Sequence, residues 1–228
     1  MYGKRFKLVP EMEGGIARWY ARQRATESQI EGVRKDAARL TQGLPGGARV
    51  LEIAPGPGYL AVEIARLGRF QVTGLDISRT FVTIAREKAR EAGVDVEFRH
   101  GDAARIPFEV GTYDLILCQA AFKNFADPLR ALDEMCRVLR VGGSAVIQDL
   151  RKDASRVDID EAVRQMKLSP FNALTTKFVL GTMLRRRAYT AAQFEQLVAE
   201  STFQSCDIRQ DGVGLEARLK KAALKKAA

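Results

Sequence analysis

The sequence is poor in the residues that most often announce chemistry: one histidine, one tryptophan and three cysteines in 228 residues. A lone His100 with no Cys or His at ligand spacing leaves no metal site to read. It falls within "HGDA", where a structural role is expected. Cys118, Cys136 and Cys206 are odd in number and far apart, which argues against a disulfide scaffold and for a reducing, cytoplasmic compartment. No run of 18 apolar residues occurs, so no transmembrane helix is expected, and the charged opening "MYGKRFKLVPEMEGG" lacks the apolar centre of a signal peptide. Repeats and low-complexity tracts are missing as well. Positive charge is what the chain has in excess, a net +9. That balance suits a soluble surface, and equally anionic substrates, nucleic acid or an acidic membrane surface.

With 46% hydrophobic and 29% charged residues, the chain reads as one globular domain spanning 1–228. From Arg49 onward, β-like runs (49–54, 71–76, 96–101, 113–119 and 144–150) alternate with helical patterns at 59–67, 78–92 and 128–140. Such alternation predicts an α/β fold with a mainly parallel sheet and helices on both faces. In 128–140, Asp127 is placed to cap, Pro128 suits the first turn, and Leu129, Leu132, Cys136 and Leu139 share one face. Four segments follow: an N-terminal helical cap (1–47, with amphipathic helices over 14–40), a core at 48–150, a mixed apolar and basic segment at 151–188, and a C-terminal helix and antiparallel hairpin at 189–228. The hairpin is expected to turn around Gly212–Gly214.

The stretch "LEIAPGPGYLAVEIA" passes from strand to helix through Gly56 and Gly58. It has no Lys-Ser/Thr, so it is not a P-loop, and Ala54 and Ala61 break the G-x-G-x-x-G pattern. Glu52, just before the loop, would repel a pyrophosphate and attract an ammonium group. Asp76, ending the second strand, suits the two hydroxyls of a ribose. Asp102, after the third strand, suits an exocyclic amine. The ligand these imply has an amine, a ribose and a base but no phosphates, which describes S-adenosylmethionine.

At this point "VLEIAPGPGYLAVEIA", "VTGLDIS", "HGDAARIPF" and "YDLILCQAAFKNFADPLRALDEMCRVLRVGGSAVIQD" together resemble, in order and spacing, the successive motifs of class I S-adenosylmethionine-dependent methyltransferases, closest to the ubiquinone and menaquinone group. The resemblance spans about residues 48–150, with Ala54 where the family usually has its first glycine. It implies a Rossmann-like seven-stranded sheet with S-adenosylhomocysteine as the product. It also implies Glu52 at the methionine end of the cofactor, the backbone of Gly56 and Gly58 near its carboxylate and sulfonium, and Asp76 on the ribose. Ile77 would pack on adenine, Asp102 and Ala103 would meet the adenine edge, and Gln119 would offer its backbone near the methionine amine. By the same resemblance, 151–188 occupies the place of an acceptor-binding helical lid.

Methyl transfer needs alignment and exclusion of water more than it needs a base. Asp149, at the end of the fifth strand, is the best-placed candidate base. Trp19, Tyr20, Tyr59, Phe122, Lys123 and Phe171 are candidates for an acceptor pocket. The segment after the fourth strand, "QAAFKNF", has neither the Pro-Pro-aromatic signature of nucleic-acid amine methyltransferases nor a Pro-Cys nucleophile. A small apolar or aromatic acceptor is therefore favoured over nucleic acid, despite basic clusters at 184–188 and 218–226. RNA or protein methylation, an NAD-dependent oxidoreductase (against which Glu52 and the missing third glycine argue), and cofactor binding without catalysis are the alternatives.

Overall fold

The computed structural model describes residues 12–24, 26–165 and 170–223, without the side chains of Ser28, Pro170, Phe171, Val179 and Met183. Its frame is one seven-stranded sheet in the order β3-β2-β1-β4-β5-β7-β6. β1 (Arg49–Ile53), β2 (Gln71–Asp76), β3 (Glu97–His100), β4 (Tyr113–Gln119) and β5 (Leu139–Leu150) run parallel. β7 (Gly214–Lys220) is antiparallel to both β5 and β6 (Asp207–Asp211), which gives the expected C-terminal hairpin.

Alternation along each buried strand supplies two cores. Leu51, Ile53, Ile116, Cys118, Ala145 and Ile147 face α5 (Pro128–Val138) and α9 (Ala191–Ala199), where Leu132, Met135, Phe194, Leu197 and Val198 close the layer. Their neighbours Val50, Leu115, Leu117 and Val146 face the other way. They meet α2 (Glu27–Leu40), α3 (Tyr59–Arg66) and α4 (Arg79–Ala92) through Leu40, Leu60, Ala61, Ile64, Val82 and Ala85. α1 (Gly14–Gln23) precedes α2, so the amphipathic stretch at 14–40 is two helices.

Caps set the helix starts as the sequence suggests. Asp127 accepts from the Arg130 amide at 3.2 Å, and Thr190 and Gln193 form a reciprocal capping box at α9. One boundary differs from expectation. Helix α5 stops at Val138 and β5 begins at Leu139, so Gly142 and Gly143 lie inside the strand instead of separating helix from strand. A Cβ at Gly143 would lie 3.0 Å from the carbonyl oxygens of Arg140 and Asp114, so the glycine is demanded by close packing of β5 on β4.

Beyond β5 the chain forms α6 (Arg156–Gln165), α7 (Pro170–Phe178), a π-helical turn over Val179–Leu184 and the short α8 (Arg185–Arg187). The segment is helical, and Leu174 and Phe178 stand exposed on α7. Met166 and Leu168 lie outside the described residues, as do the side chains of Phe171 and Met183.

Candidate functional site

Strand order reverses between β1 and β4: β1 is followed by β2 on one side, and β4 by β5 on the other. The loops leaving those two strands diverge and open a crevice at the carboxyl edge of the sheet, where α/β folds of this kind bind ligands.

The first wall is the turn at 54–58. Ala54 sits at φ 54°, its amide donating to the Leu75 carbonyl at 2.8 Å, and Gly58 donates to Pro55 at 3.0 Å. Gly56 and Gly58 are both left-handed, at φ 56° and 81°, but for different neighbours. A Cβ on Gly58 would lie 2.8 Å from both Ala85 and Phe98, so this glycine serves the packing of the turn on α4 and β3. A Cβ on Gly56 would meet nothing within 4 Å, so this is the glycine whose backbone lies open to an approaching group.

Two buried carboxylates stand beneath the turn. Asp76 accepts from the Gly56 amide at 2.9 Å and from the Ser78 amide at 2.8 Å, so it ties the loop after β1 to the loop after β2. Burial raises its pKa to about 6 against the pull of those two amides. Glu52 is 3% exposed, and its Oε2 has no hydrogen-bond partner. Burial lifts it to about 8; the Ala61 backbone amide opposes the rise and the Asp76 charge adds to it. An orphaned buried acid beside a second acid is the electrostatic complement of a cation.

The second wall is the loop after β4, and here several expectations are corrected. Phe122 does not face the crevice; it is buried among Phe125, Phe194 and Tyr189, with ring centroids 5.2, 5.3 and 5.9 Å away. Lys123 is no solvated pocket residue either. Its Nζ lies 2.7 Å from Asp149 Oδ1 and also donates to the Ala120 carbonyl, with side chains 5% and 8% exposed. Asp149 accepts further from the amides of Lys123 and Leu150, at 2.8 and 2.7 Å. Both of its oxygens are thus engaged, which makes it a clasp on the loop instead of a free proton acceptor. The Cys118 thiol beneath is fully buried, and burial pushes its pKa well up.

The remaining candidates are distributed around this centre. Ile77 is half-buried beside Asp76. Asp102 is exposed and accepts from the Ala104 amide at 2.9 Å, with Ala103 half-buried next to it. The Gln119 side chain turns toward α2: its amide donates to Gln148 at 2.6 Å and to Asp36 at 3.4 Å, and Gln148 in turn donates to Glu216 at 2.8 Å. Arg39 joins Asp36 to Glu216, which seals the N-terminal helix to the last strand of the hairpin. Tyr59 donates to the Ala21 carbonyl at 2.9 Å, and Tyr20 meets Phe81 edge-on at 5.9 Å, so both fasten α1. Trp19, by contrast, points into solvent.

Glu13 is the feature that sequence reasoning missed. It accepts from the amides of Arg79 and Thr80, at 2.8 and 3.1 Å, and from the Thr80 hydroxyl, while Ser78 donates to the Met12 carbonyl at 2.7 Å. The Thr80 hydroxyl leads the causes that lower the Glu13 pKa. Its carboxylate straps α1 across the start of α4, beside Asp76. No local motif signals a contact between residues 66 and 67 positions apart.

Both the sequence and the fold are similar to those of known proteins. A family model described as a methyltransferase domain matches residues 51–147. The demethylmenaquinone methyltransferase of Deinococcus radiodurans is 36% identical over 108 residues, which cover 47% of this chain and 45% of that protein. The ubiquinone/menaquinone biosynthesis C-methyltransferase UbiE of Bdellovibrio bacteriovorus is 34% identical over 106 residues, covering 46% of this chain and 45% of that protein. The chain thus matches just under half the length of these curated relatives. A crystal structure from Methanococcus maripaludis, of a candidate S-adenosyl-L-methionine-dependent methyltransferase, superposes with a TM-score of 0.75 at 20% identity and covers 96% of this chain and 98% of that one; this likeness shows the fold. Residues 51–147 thus match a methyltransferase domain and are similar in sequence to the two quinone methyltransferases, in a chain whose overall fold is that of the Methanococcus structure.

Proposed function

We propose that the protein transfers a methyl group from S-adenosylmethionine to a small quinone-type ring, working in the cytoplasm. The observation that carries this reading is the unpartnered Glu52 Oε2 buried beneath the open backbone of Gly56. When bound, S-adenosylmethionine supplies the electrophilic methyl: a bond from the acceptor to the methyl carbon forms as the carbon–sulfur bond breaks, and the electron pair stays on sulfur.

In this reading Glu52 gives up its proton and answers the positive charge of the methionine end, directly or through water. Asp76 keeps its two amide contacts and uses its remaining lone pairs for the ribose hydroxyls. Ile77, Ala103 and Asp102 frame the base. Ala54 and the Gln119 backbone border the methionine end. Asp149 acts as a positioning residue that holds the loop after β4 through Lys123. With Asp149 engaged, the acceptor's own acidity must provide the nucleophile, which suits the carbon or oxygen of a reduced quinone ring. The names of the relatives, both quinone methyltransferases, support this acceptor class. The described helices of 151–188, apolar in part, would cover the acceptor.

Calorimetry with S-adenosylhomocysteine, followed by a labelled-methyl assay on hydroquinones of graded tail length, tests the proposal. Binding and label in the hydroquinone are expected. Absence of binding, or label appearing only in RNA or protein, would overturn it.

A further inference from the structure

The exposed large apolar side chains are not spread evenly. Among the described residues eight stand out: Ile16, Trp19, Leu67, Val110, Val141, Val157, Leu174 and Phe178. Leu67, Val110 and Val141 flank the amino ends of strands. The other five belong to α1, α6 and α7. α1 is strapped across the starts of α3 and α4 by Tyr59, Glu13 and Ser78, and α6 and α7 follow the carboxyl end of β5. α1 thus stands at the crevice edge of the sheet, and the segment with α6 and α7 is attached to that same edge, leaving it after Leu150 and returning where Tyr189 pairs with Arg151.

Helix α1 shows how such a face is built. Ala17 and Ala21 are buried and Tyr20 packs on Phe81, which fixes the inner side. Ile16 and Trp19, one turn apart, are consequently turned outward, 66% and 56% exposed. Arg18 and Arg22, also one turn apart, border an open groove of about 400 Å³ toward α4, whose wall adds Arg79 and Lys88. Lys88 pairs with Glu91, and Glu87 also lines the groove. The guanidinium groups of Arg18, Arg22 and Arg79 have no carboxylate partner among the described residues. A short helix with Trp and Ile on its outer side and arginines alongside has the composition of one that lies in the interface of a bilayer, its apolar side chains among the acyl chains and its cations at the headgroups. A protein partner with an acidic groove would satisfy the arginines, but it would leave the shared attachment of α1 and α7 to the crevice edge unexplained.

We infer that α1, through Ile16 and Trp19 flanked by Arg18 and Arg22, docks the crevice edge of the protein on a membrane surface bearing anionic lipid. The inference rests on the proposed apolar acceptor, which such docking would deliver from the lipid phase directly to the site. Contact is peripheral: among the described residues no helix is long and apolar enough to cross a membrane.

The test needs no label, because Trp19 is the sole tryptophan of the chain. Purified protein is titrated with phosphatidylcholine vesicles, alone or mixed with phosphatidylglycerol, while tryptophan emission and co-sedimentation are followed. A blue shift and sedimentation with the anionic vesicles are expected, both weakened by added salt. Arg18→Ala and Arg22→Ala should each weaken vesicle binding about fivefold, as expected for one cation near an anionic surface. Ile16→Ser should weaken it too, and all three variants should keep their affinity for S-adenosylhomocysteine. An unchanged spectrum with no sedimentation overturns the inference. So does a blue shift that depends on protein concentration without vesicles, which would mean a second copy covers the helix. Failure to bind S-adenosylhomocysteine overturns the methyltransferase reading instead, whatever the vesicles do.

Discussion

Glu52→Gln separates two effects that the buried acid has on the protein. With no donor bound, Glu52 has its pKa raised to about 8, chiefly by burial. Folding then favours the protonated acid, so this stabilisation is fully present below pH 4.5 and is lost as the pH rises through about 8. At 1.36 kcal/mol per pH unit, the rise from 4.5 to about 8 corresponds to about 5 kcal/mol of folding stability. Glutamine cannot ionise and escapes that loss. Urea denaturation should therefore show the donor-free variant gaining on the wild type as the pH is raised from 5 to 8.

Ligand affinity should move the opposite way. A charge-assisted contact from ionised Glu52 is worth about 1.5–3 kcal/mol, less about 1.4 kcal/mol to deprotonate the acid at pH 7. The affinity advantage of wild type over Glu52→Gln should thus grow about tenfold between pH 7 and pH 9, with S-adenosylhomocysteine as the calorimetric ligand. Near pH 7, binding should release roughly half to nearly one proton, seen as a dependence of the binding heat on the buffer. An affinity ratio that stays flat with pH, or binding that releases no proton in the wild type, would refute the account of Glu52 as the counter-charge.

Two further variants probe the walls of the crevice. Lys123→Met strands the buried Asp149 carboxylate and should cost about 3–5 kcal/mol in urea denaturation, whereas the double variant with Asp149→Leu should recover part of that loss; equal losses would refute the buried-pair argument. Gly58→Ala combines a left-handed backbone with contacts at 2.8 Å and should destabilise by about 2–5 kcal/mol, against about 1–2 kcal/mol for Gly56→Ala, with the larger loss of ligand affinity at Gly56. The opposite order in either measurement would undo the distinction drawn between the two glycines.

What the sequence revealed was local. Among the described residues, alternation and caps located every strand and most helices, because burial on one face of a strand or helix leaves a period. Glu52 and Asp76 stand out in the sequence because each is an acid at a strand end beside a loop, and the structure shows both buried. The interior placement of Lys123 was not legible. A lysine in a loop after a strand reads as solvated, and only Asp149, 26 residues on, makes its burial tolerable. Phe122 misled for a related reason: an aromatic at a strand exit suits a pocket or a core, and the choice belongs to Phe194 and Tyr189, which lie far along the chain. Ala54 shows the reverse case. Its left-handed φ of 54° is one that alanine tolerates at some cost, so the residue type hid a geometry that glycine would have announced.

The position of β7 bears on how the protein is made. It follows β6 in the chain yet lies between β5 and β6 in space. A ribosome delivers the parallel strands first and β6 next, which has no neighbour to join until β7 emerges and slots in beside it. Until that moment the flank of β5 is an unguarded edge of open amides and carbonyls, the surface on which foreign strands seed aggregates. Nascent chains stalled ahead of Gly214 would therefore be clients for chaperones, and truncations made there for convenience would be expected to come out of the cell as inclusion bodies.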